Sequence, residues 1–293
     1  MLCELCPRRC RAERTADKGG GFCGMPAGVT AARAMLHHWE EPCLSGRGGA
    51  GCVFFTGCNL GCVYCQNRPI SRRDRDRIGV SLSVTRLREV FFELISAGAE
   101  CIDLVTPTHI TPWVAEALSE PLPVPVVWNS GGYERVETLR TLAGKVQVYL
   151  PDLKYADDAL AAELSRAGDY FETAAAAIDE MFRQVGPCRF GEDGLLKRGV
   201  VIRHLVLPGR LENTRRVIDY VSARFAPGEV LFSLMSQYTP QPGLTGALSR
   251  RLTGAEYRSA AAYLSACGLT AGYVQEKSSA REEYTPAFDL SGL

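Results

Sequence analysis

Cys58, Cys62 and Cys65 form a C-x3-C-x2-C triplet inside the segment GCVFFTGCNLGCVYCQN. Thiolates bind soft metals, and a [4Fe–4S] cluster normally takes four of them. Three thiolates at this spacing would hold such a cluster and leave one iron without a protein ligand. An open iron can bind and orient a second molecule, so the spacing predicts chemistry rather than packing. A structural zinc site would need a fourth ligand close by, and the triplet lacks the usual paired-knuckle spacing.

A second set precedes it. Cys3, Cys6, Cys10 and Cys23 read C-x2-C-x3-C-x12-C, enough for a complete four-sulfur site. Zinc and a second iron–sulfur cluster both suit four thiolates, so the spacing leaves the metal open. Free or disulfide-bonded cysteines are the remaining reading. Bound metal would supply folding free energy that so small a lobe cannot draw from apolar burial. Nine of the twelve cysteines fall in the first 65 residues. The scattered Cys101, Cys188 and Cys267 are expected to be buried as small apolar residues. Cys43 and Cys52 flank SGRGGAG and are expected to pack. That glycine run lacks the G-K-[ST] ending and precedes a strand, so it is not read as a phosphate loop. It suits a backbone passing close to the cluster.

The elements that must position these thiols begin near residue 50. Residues 1–45 are Cys- and Gly-rich with weak periodicity and are read as a metal-binding lobe, leaving 46–293 as the main domain. Six apolar runs predict strands at 51–57, 101–106, 124–129, 146–150, 200–207 and 230–235. Helical patterns lie between them at 84–98, 111–120, 134–144, 157–168 and 212–225, with further helices at 171–186 and 253–268. Asp157 and Asp158 give a helix start, and Gly98, Gly144 and Gly168 are expected to end helices. Strands alternating with helices predict parallel βαβ units, here an open, partial (β/α)6 barrel. Ligands in such sheets sit at the C-terminal strand ends. The triplet follows the first strand and falls on that end.

The 293 residues carry 33 basic and 33 acidic side chains, a formal net charge of zero. This argues against a nucleic-acid or acidic-membrane partner. No run approaches the roughly 18 apolar residues of a membrane span, and MLCELCPRRC lacks the apolar run of a signal peptide. The expectation is a cytoplasmic protein. SRRDRDRIG at 71–79 interleaves Arg and Asp and is expected to be a solvated loop.

CNLGCVYC resembles the signature of the radical S-adenosylmethionine (SAM) superfamily, C-x3-C-x-Φ-C, with Tyr64 as the aromatic. Further segments, among them CELCPRRC, EPCLSGRGGAG, LVTPTH, WNSGGY, LPDLKY, IRHLVLPG and SLMSQYTPQ, resemble the pyruvate formate-lyase activating enzymes and an uncharacterised branch related to them. The resemblance implies an α/β partial barrel of radical SAM type, a [4Fe–4S] cluster on Cys58, Cys62 and Cys65, and SAM bound to the open iron. One electron from the cluster would cleave SAM to a 5′-deoxyadenosyl radical, which abstracts hydrogen from a substrate. A flavodoxin- or ferredoxin-type reductant is implied. So are SAM contacts from Tyr64 beside the adenine, from Asn129 and Ser130 in place of an Asp-Thr pair, from Asp152 and Lys154, and from His204 at the ribose. The chain has LVTPTH where many relatives carry Gly-Gly-Glu, which assigns the methionine amine to Thr106, Thr108 or His109.

By analogy with the activases, the expected substrate is a protein or peptide. A small molecule or an RNA is the alternative substrate. A non-catalytic zinc or iron–sulfur module is the alternative of a different class.

Overall fold

The computed structural model describes residues 2–71, 77–275 and 286–293. The strands are β1 (Val29–His37), β2 (Ala50–Phe55), β3 (Val80–Leu82), β4 (Cys101–Val105), β5 (Val126–Ser130), β6 (Val148–Pro151), β7 (Arg189–Phe190), β8 (Leu196–Leu205), β9 (Leu231–Met235) and β10 (Gly272–Val274). The helices are α1 (Pro42–Ser45), α2 (Arg68–Ser71), α3 (Val84–Ser96), α4 (Thr111–Ala117), α5 (Val136–Arg140), α6 (Asp158–Ser165), α7 (Tyr170–Val185), α8 (Leu211–Arg224) and α9 (Gly254–Ala266). All strands but β7 follow one path, β10-β9-β8-β6-β5-β4-β2-β1-β3, and β7 pairs with β8. The six predicted strands are β2, β4, β5, β6, β8 and β9, and they pair parallel in that order.

Parallel strands covered on both faces read as near-continuous apolar runs, which is why they were legible. Side chains alternate across the sheet. Ile102, Leu104, Trp128, Tyr149, Val200 and Ile202 face the helices and join the larger core. Cys101, Val105, Val127, Val148, Leu150, Val201 and Leu231 fill a smaller core on the inner face. Each fully buried Val or Leu contributes about 1.5–3 kcal/mol relative to exposure.

Several expectations are corrected. Residues 29–37, placed by sequence in the lobe, form β1, which pairs antiparallel with β2 and extends the barrel sheet. The strand was missed because Arg33 and the small residues around it mask its alternation. Helix α6 does not end on Gly168: Arg166 takes the left-handed conformation, φ 56°, and caps it. Its start is as read, with the Asp157 side chain accepting from the Leu160 N–H. Gly98 and Gly144 do adopt positive φ after their helices. Of the three scattered cysteines only Cys101 is fully buried, while Cys188 and Cys267 are partly exposed. Cys43 and Cys52 are buried, as expected. Most of the charged loop at 71–79 (residues 72–76) lies outside the described residues.

Candidate active site

Strand β2 runs straight into the loop that carries Cys58, Cys62 and Cys65. The loop is docked on the C-terminal end of α6, where the Gly61 N–H donates to the Ser165 carbonyl (3.1 Å) and the Val63 N–H to the Leu164 carbonyl (2.9 Å). Each sulfur accepts a hydrogen bond. Leu60 N–H donates to Cys58 (3.3 Å), the Ser165 hydroxyl to Cys62 (2.9 Å) and the Ser71 hydroxyl to Cys65 (3.2 Å). Donors aimed at sulfur favour the thiolate and raise the potential of a bound cluster. The donor set therefore fits an iron–sulfur cluster.

All three cysteines line a cavity of about 230 Å³ at the C-terminal ends of the parallel strands, together with Tyr64, Thr106, Asn129, Ser130, Asp152 and Lys154. Nine of the residues expected at the primary site thus meet in one place. Lys154 Nζ donates to Asp152, whose other oxygen accepts from Arg203 Nε at 2.9 Å. Burial opposes the Lys154 charge, but Asp152 and then the Cys62 sulfur outweigh it and raise its pKa. Burial likewise opposes the Asp152 charge, and Lys154 and Arg203 outweigh it, so its pKa is lowered. Both stay ionised. Tyr64 is held from behind by the Tyr155 hydroxyl at 2.6 Å. Thr106 sits at φ 63°, a strained conformation for a β-branched residue.

The three other expected contacts are not on the cavity wall. Thr108 donates to Glu134 Oε1 at 2.6 Å. His109 is buried, with Nε2 2.8 Å from the Thr56 carbonyl, and burial lowers its pKa to about 3. His204 is also fully buried, its ring bound to the Leu153 carbonyl (2.7 Å) and to Thr214 Oγ1 (3.0 Å).

Two solved structures share this architecture. SuiB from Streptococcus suis aligns with a TM-score of 0.51 at 12% identity, over 75% of this chain and 47% of that one. HydG, a maturase of the [FeFe]-hydrogenase, aligns with a TM-score of 0.52 at 14% identity, over 80% of this chain and 53% of that one. The fold is that of the radical SAM enzymes. The chain spans about half the length of each of these structures. It is also 28% identical over 248 residues to the uncharacterized protein MJ0674 of Methanocaldococcus jannaschii, covering 82% of this chain and 66% of that protein. No family model matches.

Within this partial barrel, strand alternation explains why His204 lies off the cavity wall. Neighbours on a strand face opposite ways, so His204 turns outward and Arg203 turns inward. Arg203 was missed by sequence although it is the hub of the inner face. It donates to Asp152, to Glu40 Oε1 (3.2 Å) and to Asn129 Oδ1 (2.6 Å). Asn129 Nδ2 in turn donates to Asp103 (3.1 Å) and Glu40 (3.3 Å). The Cys52 thiol donates to Asp103 at 3.4 Å. Ligand atoms of Glu40, Cys52 and Asp103 lie within 4.8 Å of one another, and Arg203 is the cation that this group faces. Burial, then the Glu40 carboxylate, raises the Asp103 pKa well above its usual range, and Asp103 Oδ1 is buried without a hydrogen-bond partner.

The C-terminal segment was also unforeseen. Leu290 and Ser291 hydrogen-bond to Ala32 and Ala34 of β1, Phe288 packs edge-on against Phe54, and Pro286 reaches the cavity. A second space of about 620 Å³ opens beside it, shares Glu40, Gln66, Arg203 and Gln237, and adds Trp39 and Tyr273.

The N-terminal quartet lies in one lobe, but among the described residues its sulfurs do not gather within 4.8 Å of one another as the Glu40, Cys52 and Asp103 ligand atoms do. Burial pushes the Cys6 thiol up to about 12; the Arg8 N–H opposes this, while Cys23, Cys10 and Cys3 add to it. Among the described residues no helix is long and apolar enough to cross a membrane.

Proposed function

We propose that the protein is a radical SAM enzyme that reductively cleaves SAM and abstracts hydrogen from a protein or peptide substrate. The observation that carries this reading is the convergence of Cys58, Cys62 and Cys65 with Lys154, Asp152, Asn129 and Ser130 on one cavity at the strand ends. Cys58, Cys62 and Cys65 would hold the cluster, which when bound would supply the low-potential electron that SAM cleavage needs.

The chain's own residues do the rest. Lys154, charged and buried, suits the SAM carboxylate through a charge-assisted hydrogen bond. Thr106 Oγ1 and the carboxylates of Glu40 and Asp152 suit the amine. Tyr64, braced by Tyr155, offers a ring edge to the adenine. Leu60, Phe54, Leu205 and Met235 give the cavity apolar walls that exclude water from a radical. A flavodoxin- or ferredoxin-type protein is proposed as reductant, and Cys3, Cys6, Cys10 and Cys23 as a second metal site. The polar chamber around Glu40 and Arg203 favours a small polar molecule as the second substrate reading.

The test is oxygen-free reconstitution with iron and sulfide, followed by dithionite and SAM. Formation of 5′-deoxyadenosine is expected in the wild type. Cys62→Ala should lose both the cluster absorbance and the product. An intact, reducible cluster that leaves SAM uncleaved would refute the reading.

A further inference from the structure

We propose that the N-terminal cysteine quartet is a metal centre that fixes the seat of the SAM-binding cluster, with Arg8 as the positioning residue between the two sites. This rests on the reading of Cys58, Cys62 and Cys65 as cluster ligands.

The first support is that the lobe cannot hold itself by apolar packing. Among residues 2–28 the buried ones are Cys3, Cys6, Arg14 and Met25. Two of these four are cysteines and one is an arginine. A segment this small needs a covalent or metal staple, and all twelve cysteines are free thiols.

The second is the shape of the backbone around the quartet. The Cys3 N–H donates to Ala12 O and the Arg11 N–H to Cys3 O, both at 2.9 Å, while the Arg9 N–H donates to Cys6 O at 3.0 Å. Arg9 and Arg11, on either side of Cys10, both hold positive φ, 42° and 50°. Side-chain-bearing residues keep that conformation only where their surroundings impose it. The Phe22 N–H donates to the Cys10 sulfur at 3.2 Å, bringing the chain at Cys23 beside Cys10. An N–H aimed at a cysteine sulfur is the contact that a metal-bound thiolate accepts.

The third is Arg8, two residues beyond Cys6. Its guanidinium donates to Asn59 O (2.9 Å), to Ser165 O (3.3 Å) and to Arg166 O. It lies over the rings of Phe22 and Tyr133, 3.8 and 5.1 Å from their centroids. Asn59 is the neighbour of Cys58, and Ser165 donates to Cys62. One side chain rooted in the quartet's first turn therefore ties together both halves of the cluster seat. On the other side Arg77 donates to the carbonyls of Cys23 (2.7 Å) and Gly24 (3.1 Å). Metal on the quartet fixes the Cys6–Cys10 turn and so fixes the root of Arg8. Without it the Asn59 and Ser165 carbonyls lose a common anchor.

The experiment uses full-length protein prepared without oxygen. Iron, sulfide and zinc are counted, and iron release to an excess of a ferrous chelator is followed at the cluster absorbance. The wild type should carry zinc, or iron and sulfide beyond one [4Fe–4S] cluster. Cys10→Ser, at an exposed position, should lose that additional metal and release the remaining cluster's iron about 10-fold faster or more, the usual scale for loss of an outer support. Arg8→Ala should keep the additional metal and show the same acceleration. No metal beyond one cluster in the wild type overturns the quartet site. Wild-type release rates in Cys10→Ser overturn the coupling, and a wild-type rate in Arg8→Ala alone overturns the role of Arg8. The underlying reading fails separately: SAM would then leave the electron paramagnetic resonance spectrum of the reduced wild-type cluster unchanged.

Discussion

The Ser165 hydroxyl donates to the Cys62 sulfur at 2.9 Å across 103 residues of sequence. The same hydroxyl oxygen lies 2.7 Å from the Tyr155 hydroxyl, which in turn lies 2.6 Å from that of Tyr64. The end of α6 is thereby linked to the loop of Cys58, Cys62 and Cys65 at two residues, one a proposed cluster ligand and the other an aromatic on the cavity wall. A donor to sulfur stabilises the more negative, reduced cluster. Ser165→Ala should therefore lower the midpoint potential by tens of millivolts, where about 59 mV is tenfold for a one-electron couple. A spectroscopic redox titration measures it, and an unchanged potential would remove the hydroxyl from the cluster's environment.

Thr106 closes β4 with φ 63°, and its N–H donates to Asn129 O at 2.8 Å. Glycine occupies that conformation without a steric penalty, so Thr106→Gly should relieve strain on the order of 1 kcal/mol. It also removes the hydroxyl from the cavity. The expected pair of results is equal or greater stability in urea with weaker SAM binding. Unaltered SAM affinity would mean that the hydroxyl makes no contact.

His204→Ala should act on stability and not on SAM. The ring is fully buried and both nitrogens are satisfied. Its loss opens a cavity and strands the Leu153 carbonyl, at about 2–4 kcal/mol. Chemical denaturation and SAM titration of the same variant separate the two effects. A large fall in affinity with intact stability would restore the histidine to the site.

Glu134 gives the protein a titration of defined sign. Burial raises its pKa from 4.5 to about 7, against hydrogen bonds from Thr108, Trp128 and Ser130. Between those values the folded state binds a proton that the unfolded state has lost, so this group's stabilisation is present below pH 4.5 and fades as pH rises to 7. His204, lowered by burial from 6.5 to about 4, works the other way: stability falls as pH drops from 6.5 to 4. The two offset one another near pH 5–6. Glu134→Gln should remove the first contribution, making the variant gain stability relative to wild type between pH 5 and 8, by about 3 kcal/mol at most from 1.36 kcal/mol per pKa unit. Parallel pH profiles for variant and wild type would contradict the assignment.

The parts of the site legible in sequence were those written in short spacing or in period. Lys154, Asp152, Asn129 and Ser130 stand at or just beyond strand ends, where a parallel sheet exposes polar groups, and all reach the cavity. His204 was misread because a one-residue step along a strand exchanges inside for outside. Arg203, its neighbour, is the inward residue. Glu40, in the turn after β1, and Pro286, near the C-terminus, carried no local signal, because nothing in their neighbours says that the chain there closes over a cavity.

By itself the sequence determined the thiols and their spacing, and the order of six parallel strands that puts them at the functional end. These are local properties, set by bonded neighbours and by burial on both faces of each strand. Tertiary structure alone decided which donors reach the sulfurs, which side of β8 meets the cavity, and that Arg8 of the N-terminal lobe grips the cluster loop. Those depend on register and on pairs of residues 51 to 163 positions apart, whose approach is fixed by the packing of the whole sheet.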